Sequence, residues 1–521
     1  MNYKKTIFIA GGILLGLLIL YVSVTYVAKQ KLETAIGNLP EHIQVKYDAA
    51  HVNLLKGNVA LKNPLVDILA KATGKKKMQI NLTKVALNGF SYWDYFVNDT
   101  ISIESINVEK PNLLYYQDKA SNSGNKGSDS SANKDKAFKI NRLSINNATV
   151  QMKSRETDSV VLETDGLKLN LGKIVSKKKG AASKLPFSFE DMLFLTKNLK
   201  YKMNDFENLT ISDVEITRDS SKIYGIGLKT KYRQRELSKI IETERDHFNI
   251  QITSMEINNQ DVELQNKSNF VLRAGNVMLN KPNAIIYRDK LVADDNTKKP
   301  MYSKMLRNLG FDLGINRVEI KDATIIYEEK VKPDNPAGKI EFENLNAKIT
   351  NLGNVYDKSD RLEIAVNADF METAPVNVDW SFKVSDTTDS FVFKADLGKL
   401  HADQLNQFTK PNVRVKLEGE LLQTYFTIGG NANSSQIELK TDYEYLDVIM
   451  LKEDGNEKKG LVSGIVNLFV SKNSNDKKGN FRYGYAKEVK RDKTKSIFNF
   501  VWLNIRDGLK DAVTGAGKKK K

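Results

Sequence analysis

The sequence predicts a mainly β protein with a few helices, in which an N-terminal transmembrane helix precedes an elongated, twisted antiparallel sheet and an amphipathic helix ends the chain. Three observations support this prediction. The chain begins with an uncharged apolar run, its body alternates apolar and polar residues with the period of strands, and one irregular strand pattern recurs along it.

The N-terminal segment is predicted to be an uncleaved signal anchor. Lys4 and Lys5 precede an apolar run over residues 6–28, which as a helix can cross a hydrocarbon core of about 30 Å. Tyr26 spoils the best small-x-small cleavage site. The short basic segment 1–5 favours a cytoplasmic N-terminus, so the rest of the chain is expected to be translocated.

Composition argues against several classes of function. The chain has 521 residues, a formal net charge of +16, four histidines and no cysteine. It lacks an arginine-rich helix, a metal-ligand spacing, a P-loop, a GxGxxG loop and a GxSxG elbow. We therefore expect no catalytic residue, metal, cofactor or nucleic-acid partner, and the chain is not predicted to be an enzyme. The positive charge fits an anionic membrane surface, or simply solubility.

Alternating residues and turn signals predict that most of the body is β, over residues 29–118 and 138–490. Clear strands are predicted over Val376–Asp386, Ser390–Gly398, Val413–Leu421 and Ser435–Val448. Helical spacing is found over Ser188–Met203, Lys231–Asp246, Pro300–Gly310 and His401–Thr409. The low-complexity stretch 119–137 is predicted to be a disordered loop.

In one strand pattern, the residues expected to face inward switch twice between odd and even positions, and this pattern recurs along the chain. In the stretch from Ile101 to Tyr116, apolar side chains fall at Ile103, Ile106, Val108, Leu113 and Tyr115. Similar intervals begin at Ile140, Ile252, Ala274 and Ile315. A spacing of three inserts one residue, which a bulge or a bend must absorb if the same face is to stay inward. The repeats therefore predict an antiparallel sheet that grows by similar bent units.

The C-terminal segment 491–515 is predicted to be an amphipathic helix, followed by a lysine tail at 516–521. The residues expected to form its functional face are Ile497, Phe500, Val501, Trp502, Ile505 and Leu509. Two interpretations stay open. The helix can lie in a membrane interface, or it can cap the open end of the sheet.

The chain resembles the AsmA-like family of envelope proteins, in a form typical of Bacteroidota. The resemblance rests on the anchor followed by HVNLLKGNVALKNPLVDI (His51–Ile68), on the repeated unit with its proline, and on the ending KRDKTKSIFNFVWLNIRDGLKDAVTG (Lys490–Gly515). It implies a taco-shaped β-groove lined with apolar residues, held in the inner membrane by residues 6–28, with the bulk of the chain in the periplasm. Relatives are implicated in moving phospholipids between the two membranes, or in outer-membrane homeostasis.

The inward repeat positions are the residues expected to line such a groove: Ile106, Val108, Leu113, Leu143, Ile145, Val150, Val318, Ile320 and Ile325. An ordinary filled core is the alternative for these positions. The expected function is to shelter or transfer phospholipid acyl chains. The alternative is a scaffold that binds an envelope protein and carries no lipid. The outer membrane or an envelope protein is the expected partner of the C-terminal helix.

Overall fold

The computed structural model describes residues 34, 36–53, 56–118, 136–177, 185–264, 270–452, 474 and 481–514. The predicted anchor at 6–28, the lysine tail at 516–521 and residues 119–135 of the predicted loop lie outside them. No helix among the described residues has the length and apolar character needed to cross a membrane. The chain divides into unit 1, which is Met1–Gly225 with Leu264–Ser268, and unit 2, which is Ile226–Glu263 with Asn269–Lys521.

Strands dominate the described residues, as the alternation predicts. The strands up to the point of division are β1 (Ile43–Lys46), β2 (Ala49–Asn53), β3 (Asn58–Lys62), β4 (Leu65–Leu69), β5 (Lys76–Asn81), β6 (Lys84–Phe90), β7 (Thr100–Glu109), β8 (Asn112–Gln117), β9 (Ala137–Ser154), β10 (Val160–Ser176), β11 (Phe187–Ser188), β12 (Asp191–Lys202), β13 (Glu207–Thr217) and β14 (Ser220–Thr230). The strands that follow are β15 (Asp246–Asn258), β16 (Asp261–Leu264), β17 (Phe270–Asp289), β18 (Asp312–Lys330), β19 (Gly338–Gly353), β20 (Leu362–Phe370), β21 (Ala374–Phe382), β22 (Phe391–Leu397), β23 (Leu400–His401), β24 (Val415–Gly430), β25 (Ser434–Met450) and β26 (Arg482–Lys490).

Helices among the described residues are few and mostly short. They are α1 (Tyr92–Phe96), α2 (Gln234–Ile240), α3 (Tyr302–Arg307), α4 (Asn406–Val413), which a 3₁₀ turn precedes at Ala402–Leu405, and α5 (Ile497–Thr514). The helices predicted over 231–246 and 300–310 are therefore present but shorter, whereas the helix predicted over 401–409 begins as the 3₁₀ turn and continues to Val413. Helix α5 begins later than the predicted residue 491. The four strands predicted between Val376 and Val448 are confirmed.

The helix predicted over Ser188–Met203 is wrong. Most of this segment forms strand β12, which pairs antiparallel with β10 on one side and with β13 on the other. Its apolar run, Met192 to Leu195, is continuous and fits either period. Hydrogen bonding to two neighbouring strands decides the outcome.

Unit 1 is a meander with one parallel step. β1 pairs with β4, β4 with β5, and β5 with β8. Beside them, β2 pairs with β3, β3 with β6, and β6 with β7. All six pairs are antiparallel. β7 and β8 then lie parallel to the two halves of β9, and β10, β12 and β13 continue antiparallel. Each of the first four positions in the sheet is thus occupied by two consecutive strands that a short break separates: β1 with β2, β3 with β4, β5 with β6, and β7 with β8.

The parallel step places two copies of the repeat side by side. Ile103 lies opposite Ile140, Val108 opposite Ile145 and Leu113 opposite Val150. The prediction of purely antiparallel growth is wrong at this step. A parallel pair needs a long crossover, and the stretch between β8 and β9 is long enough to be one.

Unit 2 has the same plan. β15 pairs antiparallel with β17, β17 pairs parallel with β18, and β18, β19, β20, β21, β22, β24, β25 and β26 follow in antiparallel order. The parallel step again aligns two copies of the repeat, with Val277 opposite Val318 and Leu279 opposite Ile320. The segment 290–311, which contains α3, makes the crossover.

The second change of parity in each repeat falls on a residue with a left-handed backbone. In the two aligned pairs these residues are Lys110 (φ 47°) with Asn147 (φ 54°), and Lys281 (φ 49°) with Asp322 (φ 56°). The register between β18 and β19 shifts just beyond Ile320. The extra residue is therefore absorbed in a bulge, as the spacing predicts, and the apolar face stays inward on both sides of it.

Replacing Asn147 tests this account of the repeat. Asn147 is exposed and has φ 54°, so Asn147→Val forces a β-branched residue into the left-handed region without disturbing the core. We expect a loss of about 1–3 kcal/mol in the free energy of unfolding of unit 1. Hydrogen exchange over β9, followed by mass spectrometry, measures it. Asn147→Gly is the control and should exchange like the native chain; equal protection in the valine variant would contradict the account.

Candidate functional site

The six predicted lining residues of unit 1 lie in a packed core. Ile106, Val108, Leu113, Leu143, Ile145 and Val150 are all between 1% and 8% exposed. They belong to one cluster that also contains buried residues of β1, β4, β5, β6 and β10. In this unit the described side chains fill the space on the inner face.

The three predicted lining residues of unit 2 have different surroundings. Val318 is buried, whereas Ile320 and Ile325 are only half-buried. All three lie on the face that carries the apolar positions of the repeats, in two small clusters that hold few fully buried residues. The apolar face of unit 2 is therefore partly uncovered.

Two apolar rows cross this face, and the strand register defines them. Row A consists of Ile257, Val277, Val318, Ile349, Ile364, Trp380, Phe393, Ile428 and Ile437. Row B consists of Met255, Leu279, Ile320, Ala347, Val366, Val378, Ala395, Phe426 and Leu439. In each row, every residue lies directly opposite the next on the neighbouring strand. With strands about 4.8 Å apart, each row is about 38 Å long.

The rows are open along one part and covered along the other. From β15 to β20 every member of row B is half-buried, and so are Ile257, Ile349 and Ile364 of row A. From Trp380 onward, row A joins a core that contains residues of α5 and the start of α3. The ring centroids of Tyr302 in α3 and Trp380 are 5.4 Å apart.

Helix α3 is attached to the sheet by a buried carboxylate. Asp389 accepts hydrogen bonds from the Ser303 hydroxyl at 2.8 Å and from the Arg307 guanidinium at 2.9 Å. The same guanidinium also donates to the carbonyl oxygens of Val384 and Asp386. This arrangement fixes the position at which the cover over the rows begins.

Helix α5 packs on the sheet by a face that includes only part of the six residues expected to form its functional face. Ile497, Phe500 and Val501 are buried, Trp502 is exposed, and Ile505 and Leu509 are half-buried. The rest of the buried face consists of Asn504, Gly508 and Ala512. The Ser435 hydroxyl donates to the Asn504 side chain at 2.9 Å. A Cβ on Gly484 of β26 would lie 1.9 Å from the Gly508 carbonyl oxygen, so this close approach needs glycine at position 484.

A buried charge cluster connects the segment before α5 to the body of unit 2. The Glu244 side chain is 1% exposed, and its carboxylate lies 2.5 Å from Lys290 and 3.6 Å from Lys495. Arg288 lies 4.0 Å from Glu244 and 2.7 Å from Asp246. No sequence pattern distinguishes these residues from other surface charges, so the prediction missed the cluster.

The unit also has a depression of about 460 Å³ on β21–β26, whose lining includes Asp379, Lys394, Tyr425 and Lys440 together with the row B members Ala395, Phe426 and Leu439. Within the described ranges no group of histidine and acidic side chains is arranged to hold a metal ion.

The fold and the apolar rows together define a class: a repetitive β-meander that has a partly uncovered apolar face bordered by helices. Comparison of the chain with protein-family models, with curated proteins and with solved structures finds no match.

Proposed function

We propose that the chain is a membrane-anchored, non-enzymatic, AsmA-like protein of the periplasm that shelters or transfers phospholipid acyl chains on the open part of rows A and B. The observation that carries the proposal is the continuity of these rows over nine strands. Their open part, from β15 to β20, crosses five strands and is about 19 Å long, and its half-buried members are all apolar.

The energetic argument needs no catalysis. Removing an acyl chain from water is favourable by about 0.8 kcal/mol for each buried CH₂ group. A chain lying along Leu279, Ile320 and Ala347 would be sheltered on the protein side. A curved, groove-like sheet would shelter it further. The headgroup would stay in solvent.

Photo-crosslinking in cells tests the proposal on the full chain. Benzoylphenylalanine in place of Ile320 or Val366 places the reactive group in row B, and mass spectrometry identifies the adduct. We expect phospholipid adducts at both positions. Benzoylphenylalanine in place of Thr427, which is exposed, is the matched control and should give none. Absence of lipid at both row positions, or equal labelling at Thr427, would refute the proposal.

A scaffold for an envelope protein is the second candidate, and the filled core of unit 1 favours it. In that case the same crosslinks should join Ile320 or Val366 to protein and yield no lipid.

A further inference from the structure

We propose that the outer row of helix α5, formed by Phe498, Trp502, Arg506 and Lys510, docks on an anionic membrane surface next to the apolar rows. The docking itself does not depend on the proposed function. Only the further step, in which lipid passes between the docked membrane and rows A and B, rests on it.

The helix presents two different faces. Its buried face packs on β25 and β26, and the four residues of the outer row, spaced four apart, are all exposed. The row from Phe498 to Lys510 is about 18 Å long. Capping the sheet and contacting a membrane are therefore compatible, because different sides of the helix serve them.

The first half of the outer row is aromatic and continues row A outward. Phe498 is 61% exposed and Trp502 is 46% exposed, which is high for residues of this size. The Phe498 ring lies 6.4 Å from the ring of Trp380, where row A passes beneath the helices. Aromatic side chains favour the headgroup level of a bilayer, where their apolar bodies and polar groups are both satisfied.

The second half of the outer row is basic. Of the two acidic residues on α5, Asp507 accepts a hydrogen bond from Arg506 at 2.8 Å, and Asp511 accepts one from the Tyr485 backbone N–H at 2.8 Å. Lys510 has no carboxylate partner in the part of the chain that the structure describes. A surface that joins two exposed aromatic rings to an unpaired ammonium group fits anionic phospholipid headgroups.

Flotation of the full chain with vesicles tests the docking. The chain is held in a phosphatidylcholine nanodisc, so that the predicted anchor is occupied, and is mixed with vesicles of phosphatidylglycerol or of phosphatidylcholine. We expect binding to the phosphatidylglycerol vesicles, at least about tenfold weaker for the double variant Phe498→Ala, Trp502→Ala. Lys510→Gln should weaken this binding about fivefold. Tyr445→Ala removes an aromatic residue that is 70% exposed in the same unit, and should bind like the native chain.

Fluorescence provides a second measurement that does not depend on the stability of the double variant. In a Trp93→Phe chain, brominated phosphatidylglycerol vesicles should quench the tryptophan emission, and the further change Trp502→Phe should abolish the quenching. Failure of the native chain to bind, equal binding to both kinds of vesicle, or full binding by the double variant would overturn the docking proposal. If vesicles bind but the Ile320 position yields no lipid adduct, the docking proposal stands and the lipid-sheltering proposal fails. If lipid adducts form but vesicles do not bind, the lipid-sheltering proposal stands and the docking proposal fails.

Discussion

Replacing Glu244 with glutamine is expected to lower the free energy of unfolding of unit 2 by about 3–5 kcal/mol. The Glu244 carboxylate is almost fully buried, and Lys290, Arg288 and Lys495 surround it within 4.0 Å. Removing the negative charge leaves these cations close together without their common partner. The cost of their mutual repulsion and incomplete solvation is the reason for the large effect.

Tryptophan fluorescence during urea unfolding measures this loss. Trp380 and Trp502 both belong to unit 2, so a Trp93→Phe background, which removes the remaining tryptophan, reports on unit 2 alone. Glu438→Gln is the matched control, because Glu438 is an exposed carboxylate in the same unit, and its free energy of unfolding should stay within about 0.5 kcal/mol of the native value. A Glu244→Gln variant that unfolds at the same urea concentration as this control would show that the cluster contributes no net stability.

The cluster also predicts which segment of unit 2 loses protection from hydrogen exchange first. Lys495 lies just before α5, and its hydrogen bond to Asp294 raises the pKa of Lys495 and lowers that of Asp294. Without the Glu244 charge, the Lys495 ammonium group keeps the exposed pair with Asp294, which is 2.9 Å long. Hydrogen exchange should therefore rise first at the start of α5.

Replacing Ile106 with alanine is expected to lower the free energy of unfolding of unit 1 by about 2–5 kcal/mol. Ile106 is 1% exposed and lies within the largest cluster of buried residues in that unit. The substitution removes buried methyl and methylene groups and leaves a cavity that the surrounding strands fill only partly. Hydrogen exchange over β6, β7 and β9 measures the change.

The matched comparison is Ile320→Ala in unit 2. Ile320 occupies the position of the repeat that corresponds to Val108 but is half-buried, so its loss should cost about 1 kcal/mol or less in the absence of lipid. Equal losses at Ile106 and Ile320 would mean that the two apolar faces are equally well covered.

The sequence predicts the strands well because their signals are local. Alternating residues in the stretches that became β21, β22 and β25 specify a strand whose one side is buried. The segment 188–203 shows where this reasoning fails, since its apolar run suits either period and only pairing with β10 and β13 makes it a strand. The buried face of helix α5 likewise depends on contacts between distant segments. Its buried face turned toward Asn504 and Gly508 because these residues fit closely against Ser435 and β26, a contact between distant segments.

The sequence does contain a signal for the parallel steps. In each unit, two copies of the repeat stand on either side of a long segment, and a crossover between parallel neighbours requires such a segment. No signal in the sequence indicates the charge cluster at Glu244, because its members come from segments that are far apart in the chain and each resembles an ordinary surface residue.

The spacing of the stretch from Ile101 to Tyr116 determines by itself that the strand bends and that one apolar face stays inward. The reason is that a side chain can keep its face across an inserted residue only if the backbone bulges, and left-handed residues such as Lys110 and Asn147 provide the bulge. Only the tertiary structure decides what that face meets. Ile106 is buried by side chains from other strands of unit 1, whereas Ile320 stays half-uncovered because α3 and α5, held by Asp389 and by the contacts of Asn504 and Gly508, cover the later strands of unit 2.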